Sequence, residues 1–186
     1  MPAAAATSAA GQSWGWHRLA DEWAARIVAE AGVRPGELVL DIGAGEGALT
    51  AHLRRAGARV VAVELHPGRA ATLRRRFGDV TVVHADAASL PLPRRPFRVV
   101  ANPPYGITAS LLRLLLAPGT RLIAADLVLQ RAVVRKYASG PGPGAARRGR
   151  TFRVTTGLAL PRRAFRPPPQ VDSAVLVIRR RGTRPA

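Results

Sequence analysis

Two short segments of this 186-residue chain carry residue types that can do chemistry together. In Asp41-Ile42-Gly43-Ala44-Gly45-Glu46-Gly47, a glycine-rich turn opens a helix, and its backbone N–H groups can hold a nucleotide-like cofactor. About 60 residues later, Asn102-Pro103-Pro104-Tyr105 forms a stiff turn with two acceptors, the Asn102 side-chain oxygen and the Pro103 carbonyl. An exocyclic amine is conjugated with its ring, so its lone pair is poorly available. Two acceptors aimed at its hydrogens fix the nitrogen and favour the tetrahedral geometry that frees the lone pair. Tyr105 can stack on a base. Together the segments point to movement of a methyl group from S-adenosylmethionine to a nitrogen on a planar amide or base. The first step needs no general base, which fits a chain without a Ser-His-Asp set. A target inside a duplex would have to be extruded, or come from a loop.

Each segment alone says less. Nicotinamide and flavin enzymes also approximate Gly-x-Gly-x-Gly, and a tetrapeptide rich in proline can be an ordinary turn. Acids at the ends of strand-like runs sharpen the cofactor reading. Glu64 follows the glycine loop by about 20 residues and suits a ribose diol, although a nicotinamide cofactor would want the same acceptor. Asp86 can accept from an adenine amino group or cap a helix. Asp41 can orient the loop or meet the cofactor's cationic amino group.

These residues need a scaffold, and the hydrophobic pattern supplies one. Strand-like runs at 37–41, 59–64, 80–84, 97–101 and 122–129 alternate with helical patterns at 16–31, 47–56, 67–77, 108–116 and 130–139. That alternation predicts a parallel α/β sheet. Runs at 151–160 and 174–180 have no helix between them and should pair antiparallel. Gly47 should let its helix pack near the strand. The expected organisation is a flexible leader at 1–13, a catalytic domain at 14–181 and a basic tail at 182–186.

The chain has no cysteine, so disulfides and cysteine metal sites are excluded. His17, His52, His66 and His84 lack metal-ligand spacing, and no metal is expected. Residues 111–117 form a short apolar run broken by Arg113, so no membrane partner is expected and the location should be cytoplasmic. The net charge is +18, and it is unevenly spread. Residues 1–86 hold ten arginines against nine acids. Residues 87–186 hold eighteen arginines and Lys136 against only Asp126 and Asp172. A coding bias explains arginine over lysine but not the loss of acids, and a phosphate-rich partner follows. Residues 140–150 form a loop rich in glycine and proline. Its Arg147, Arg148 and Arg150 suit either RNA contact or a solvated insertion.

The order of Asp41-Ile-Gly-Ala-Gly-Glu-Gly-Ala-Leu-Thr50, Val63-Glu64, Asp86, Asn102-Pro-Pro-Tyr105 and Phe165-Arg-Pro-Pro-Pro-Gln-Val-Asp-Ser173 resembles the rRNA adenine N6-methyltransferases, most closely the Erm type. The resemblance runs from about Trp16 to Arg180, and its last segment separates this family from other Asn-Pro-Pro-Tyr enzymes. It implies an α/β, Rossmann-like, S-adenosylmethionine-dependent methyltransferase with a seven-stranded, mostly parallel sheet and an antiparallel last strand. The implied substrate is an adenine of 23S rRNA, free or in a ribosome assembly intermediate, and the implied outcome is macrolide-lincosamide-streptogramin B resistance. Cofactor contacts are implied at Gly43, Glu64, Asp86 and Asn102, beside Asp41 and Gly45 of the loop. Base contacts are implied at Asn102, Tyr105 and Phe165, beside the Pro103 carbonyl read from the turn, with Phe165 stacking opposite Tyr105. Arg162, Arg163 and Arg166 flank it and would hold phosphates.

Two departures stand out. Where the family has Gln-Asn-Phe-Leu touching the cofactor, this chain has Trp16-His17-Arg18-Leu19, which places His17 and Leu19 near the cofactor with only Leu19 matching. Trp14 and Trp16 can form a lid or pack. The chain also stops at Ala186, short of the family's small helical domain, so RNA positioning is expected from the catalytic domain's own cationic face. A housekeeping small-subunit rRNA dimethyltransferase shares the motifs, and a catalytically silent RNA- or DNA-binding relative is the alternative of another class.

Overall fold

Two buried parallel strands place both chemical segments. Leu38–Ile42 (β2) and Phe97–Ala101 (β5) are buried along their whole length, as continuous apolar runs should be in a parallel sheet covered on both faces. The computed structural model describes residues 17–140 and 151–182. The expected leader, Trp14, Trp16, the arginines 147, 148 and 150, and residues 183–186 lie outside the described residues.

The remaining elements follow in chain order. Arg18–Leu19 (β1) is a short bridge, Asp21–Ala31 is α1, Ala48–Arg55 is α2, Arg59–Glu64 is β3, Pro67–Arg76 is α3 and Thr81–His84 is β4. After β5 come Thr108–Leu115 (α4), Leu122–Gln130 (β6), Arg131–Ala138 (α5), Phe152–Leu160 (β7), Phe165–Arg166 (β8) and Ser173–Arg180 (β9). Seven strands form one sheet in the order β4-β3-β2-β5-β6-β9-β7, while β1 and β8 form a separate two-stranded bridge. Strands β4, β3, β2, β5 and β6 run parallel, and β9 runs antiparallel to both of its neighbours. The seven-stranded, mostly parallel sheet with an antiparallel last strand is therefore present. That last strand lies inside the sheet, and β7 forms the edge.

Alternation along the strands splits the core into two layers. Leu38, Leu40 and Ile42 of β2 face a cluster with Leu111, Leu112 and Leu115 of α4. Val39 between them faces the other side, with Ile27 and Val28 of α1 and Leu53 of α2. Arg98 interrupts the apolar run of β5. It donates to Glu37 at 2.8 Å and to the carbonyls of Ala31 and Gly32 at 2.8 and 3.1 Å. It thereby ties the end of α1 to the sheet, and its carbonyl contacts satisfy groups that a helix end leaves open.

Two local expectations need correction. The helix anticipated at 16–31 begins at Asp21, because residues 18–19 pair with residues 165–166 instead. Its first turn carries Asp21 and Glu22, where carboxylates favour the helix dipole. Gly47 makes room for α3 and its cap, not for a strand. A Cβ there would stand 2.5 Å from Phe77 Cε2 and 3.0 Å from Leu73 Cδ2.

Candidate active site

The sheet order reverses between β2 and β5. Strands β3 and β4 lie to one side of that seam, and β6 lies to the other. Ligands of open α/β sheets sit outside the carboxyl ends of strands at such a seam. The glycine loop leaves β2 there, and the Asn-Pro-Pro-Tyr turn leaves β5 beside it. The two segments touch. Gly43 has φ +74°, and a Cβ on it would stand 3.1 Å from Pro104 Cδ and 3.3 Å from the Pro103 Cα. Only glycine allows this approach.

A crevice at this seam is lined by His17, Leu19, Asp41, Gly43, Glu46 and Asn102, among others. The segment carrying His17 closes one wall, and three contacts hold it. Its β1 bridge pairs with β8, Arg18 meets Glu46 at 3.2 Å, and His17 Nδ1 lies 2.9 Å from the Pro167 carbonyl. The expected role of His17 changes accordingly, since its side chain is engaged with Pro167. Its backbone carbonyl accepts from Asn102 Nδ2 at 3.0 Å. That bond points the amide's NH₂ at the protein, using one of its two donors, and leaves Oδ1 as the acceptor for a ligand.

Pro103 is buried and Tyr105 half-buried, the latter opening a short turn at Tyr105–Ile107. The Tyr105 hydroxyl lies 2.7 Å from Ser173 Oγ, and its ring centroid is 6.0 Å from that of His17. Burial pushes the Tyr105 phenol above its usual pKa, although Ser173 opposes this.

The cofactor-side acids do different jobs. Glu64, the last residue of β3, accepts from Gly45 N–H and His66 N–H, each at 2.8 Å. One carboxylate thus orders the glycine loop and the start of α3, and each oxygen keeps a lone pair for a ligand. Asp86 is exposed and accepts from Ala88 N–H at 2.8 Å, capping the turn Ala87–Ser89. Asp41 is 1% exposed and accepts from the Thr50 hydroxyl at 2.6 Å. Burial pushes its pKa up to about 7, Thr50 opposes the rise, and the nearby Glu64 charge adds to it.

The Asp41 shift sets a pH dependence with a definite sign. The unfolded chain releases this proton near the ordinary aspartate value of 3.8, whereas the folded chain keeps it to about 7. The stability this group supports is full below about pH 4, declines as pH rises, and is lost above about 7. Asp41→Asn removes that decline. The gap in melting temperature, variant over wild type, should widen between about pH 5 and about pH 8. A gap independent of pH counts against the buried-acid account.

The expectation that Phe165 stacks on the target base is not met in this structure. Its ring is 1% exposed and packs with Leu19, Leu160 and Val175. Its backbone pairs with Leu19, and burying an aromatic in an apolar layer gains more than leaving it at a wet rim. Leu19 is likewise buried, with part of it reaching the crevice wall. Arg162 is exposed, but its Nε donates to the Pro169 carbonyl at 2.7 Å. Arg163 and Arg166 are exposed beside it.

Sequence reasoning passed over three features at this end of the sheet. Leu65, 40% exposed directly after Glu64, offers an apolar surface beside the glycine loop, and its signal in the sequence is a large apolar residue next to a strand-end acid. Arg131, Arg135 and Lys136 are exposed on α5, whose first N–H donates to the Asp172 carbonyl. Ser173, the last residue of the Phe165–Ser173 motif, is the third. Among the described residues, no three His, Asp or Glu side chains are grouped to hold a metal, and no helix is long and apolar enough to cross a membrane.

The seam, the glycine loop and the Asn-Pro-Pro-Tyr turn define a Rossmann-like methyltransferase fold. Comparison with known proteins narrows the class. Residues 11–186 match the family model for ribosomal RNA adenine dimethylase, and the chain belongs to that family. It is 38% identical over 175 residues to "Ribosomal RNA small subunit methyltransferase A" of Leifsonia xyli subsp. xyli, covering 86% of this chain and 62% of that relative. It is also 38% identical over 161 residues to "Mycinamicin-resistance protein MyrB" of Micromonospora griseorubida, covering 84% of this chain and 50% of that one. The crystal structure of the 23S rRNA methyltransferase ErmE superposes with a TM-score of 0.81 at 34% identity, over 88% of this chain and 70% of the other. The chain thus spans about half to two thirds of the length of these curated relatives.

Proposed function

We propose that this chain transfers a methyl group from S-adenosylmethionine to N6 of an adenine in 23S rRNA, giving macrolide-lincosamide-streptogramin B resistance. The observation that carries the chemistry is the Asn102 amide, turned by the His17 carbonyl so that its oxygen serves the ligand. The Erm-type reading draws on the likeness to ErmE and MyrB. Small-subunit rRNA is the second reading, favoured by relatives such as the Leifsonia protein.

The residues present fit the cofactor. Gly43 lets the loop close against Pro103 and Pro104 at the crevice, Leu65 and Leu19 supply apolar surface, and Glu64 retains acceptor capacity for a ribose. When bound, S-adenosylmethionine supplies a methyl group that is already electrophilic on its sulfonium. Asp41, Gly45 and Asp86 shape the cofactor end, with Asp41 acting through Thr50 and the loop. Asn102 Oδ1 and the Pro103 carbonyl accept from the adenine amino group and hold its nitrogen towards the donor. Tyr105 stacks on the base, and exclusion of water at the seam strengthens each of these contacts. Arg163 and Arg166, with the arginines 147, 148, 150 and 162, hold phosphates of the RNA. The RNA must present the adenine unstacked, from a loop or by extrusion.

Cells expressing the chain should carry new N6-methyladenine, found by primer extension or mass mapping of their rRNA, and should tolerate macrolides. Methylation confined to the small subunit with unchanged susceptibility would favour the second reading. No methylation of either rRNA rejects both.

A further inference from the structure

Ser173 has no counterpart among the groups that hold cofactor or base, yet its placement is unusually well fixed. It is 1% exposed and begins β9. Its register partners are Gln130 in β6 and Leu160 in β7, so the sheet clamps it on both sides. The residue before it is also held, because the Asp172 carbonyl accepts from Arg131 N–H at 3.0 Å. The Ser173 hydroxyl meets that of Tyr105 at 2.7 Å across 68 residues of chain.

We propose that Ser173 is a positioning residue for the target base, fixing through the Tyr105 hydroxyl the ring on which that base stacks. The inference rests on the proposed methyl transfer to a base. Tyr105 roots in a short turn and is only half-buried, so packing alone leaves its ring free to swing. Its other aromatic neighbour, His17, is tilted 35° to it at 6.0 Å and makes no close stack. The hydroxyl bond removes that swing by tying the far end of the ring to a strand paired on both sides. The stacked base inherits the alignment, and its amino nitrogen arrives where Asn102 and Pro103 can hold it. Ser173 does not touch the substrate; it acts only through Tyr105.

The test is a double-mutant cycle on the full chain with Ser173→Ala, Tyr105→Phe and the pair. Methyl transfer is measured under single turnover on an rRNA that the wild type modifies, with S-adenosylmethionine affinity measured by calorimetry. Each single change should lower the single-turnover rate about tenfold and leave cofactor affinity within about twofold. The pair should also lose about tenfold rather than about a hundredfold, because both changes delete one bond. A wild-type rate for either single variant, or losses that multiply in the pair, overturns the proposal. Should Ser173→Ala fail to fold, Tyr105→Phe decides alone, since it removes the bond from the half-buried side. If the wild type methylates no rRNA, the proposed function falls and this inference with it. An active wild type with additive variants overturns this inference only.

Discussion

Replacing Asn102 by aspartate should silence methyl transfer at neutral pH and return part of it in acid. The Asn102 amide donates through Nδ2 to the His17 carbonyl at 3.0 Å; in the proposed transfer this leaves Oδ1 to accept from the substrate amine. An ionised aspartate keeps the shape but faces the His17 carbonyl oxygen with a second oxygen. Repulsion turns the side chain away, and the amine loses a fixed acceptor. Losing one preorganised hydrogen-bonding group of this kind costs about a hundred- to a thousandfold in rate. A protonated carboxyl can donate to His17 again and still offer an acceptor oxygen, so the rate of Asn102→Asp relative to wild type should rise as pH falls from about 7 to about 5. Asn102→Ala lacks both groups, should lose as much, and should gain nothing from acid. Initial rates with labelled methyl donor across this range test both. Near-wild-type transfer by Asn102→Ala would sink the idea that this side chain aims the acceptor. A pH profile for Asn102→Asp parallel to that of wild type would show that the His17 carbonyl does not set the amide.

Glu64→Ala should weaken S-adenosylmethionine binding about a hundredfold and destabilise the fold by about 2 kcal/mol. Its two oxygens accept from Gly45 and His66, so a single truncation strands two backbone donors. The glycine loop then loses its tie to β3, and the ribose loses its acceptor. Glu64→Gln separates these effects. An amide keeps one acceptor oxygen but sets its NH₂ against the other N–H, so it should fall between wild type and alanine. Calorimetric titration reads the affinity, and thermal unfolding reads the stability. An unchanged affinity with a lowered melting temperature would make Glu64 a structural cap and remove it from the cofactor site.

The cationic rim is wider than the residues first expected. Arg163 and Arg166 are exposed, and α5 adds Arg131, Arg135 and Lys136, with its first N–H bonded next to Ser173. Arg162 is anchored to Pro169, so it serves packing of the 165–169 segment as well as charge. In the proposed transfer these basic residues would retain an RNA while one nucleotide is turned into the seam.

Local pattern alone determined much of the scaffold. Arg59–Glu64 and Phe97–Ala101 stand where the apolar runs place them, because strand period and composition are properties of a few neighbouring residues. The glycine loop and the Asn-Pro-Pro-Tyr turn were legible for the same reason, since their chemistry is written in consecutive residues. What tertiary structure decided was everything that depends on which strands are neighbours. The strand order sets β2 against β5, so Gly43 meets Pro103 and Pro104. It inserts β9 between β6 and β7 and thereby brings Ser173 to Tyr105. The pairing of β1 with β8 turned residues 18–19 from helix to bridge, carried the His17 carbonyl to Asn102 across 85 residues, and drew Phe165 into the core. No local periodicity encodes these contacts. They arise because burying apolar faces on both sides of one sheet leaves few strand orders, and the order adopted fixes which distant side chains share its end.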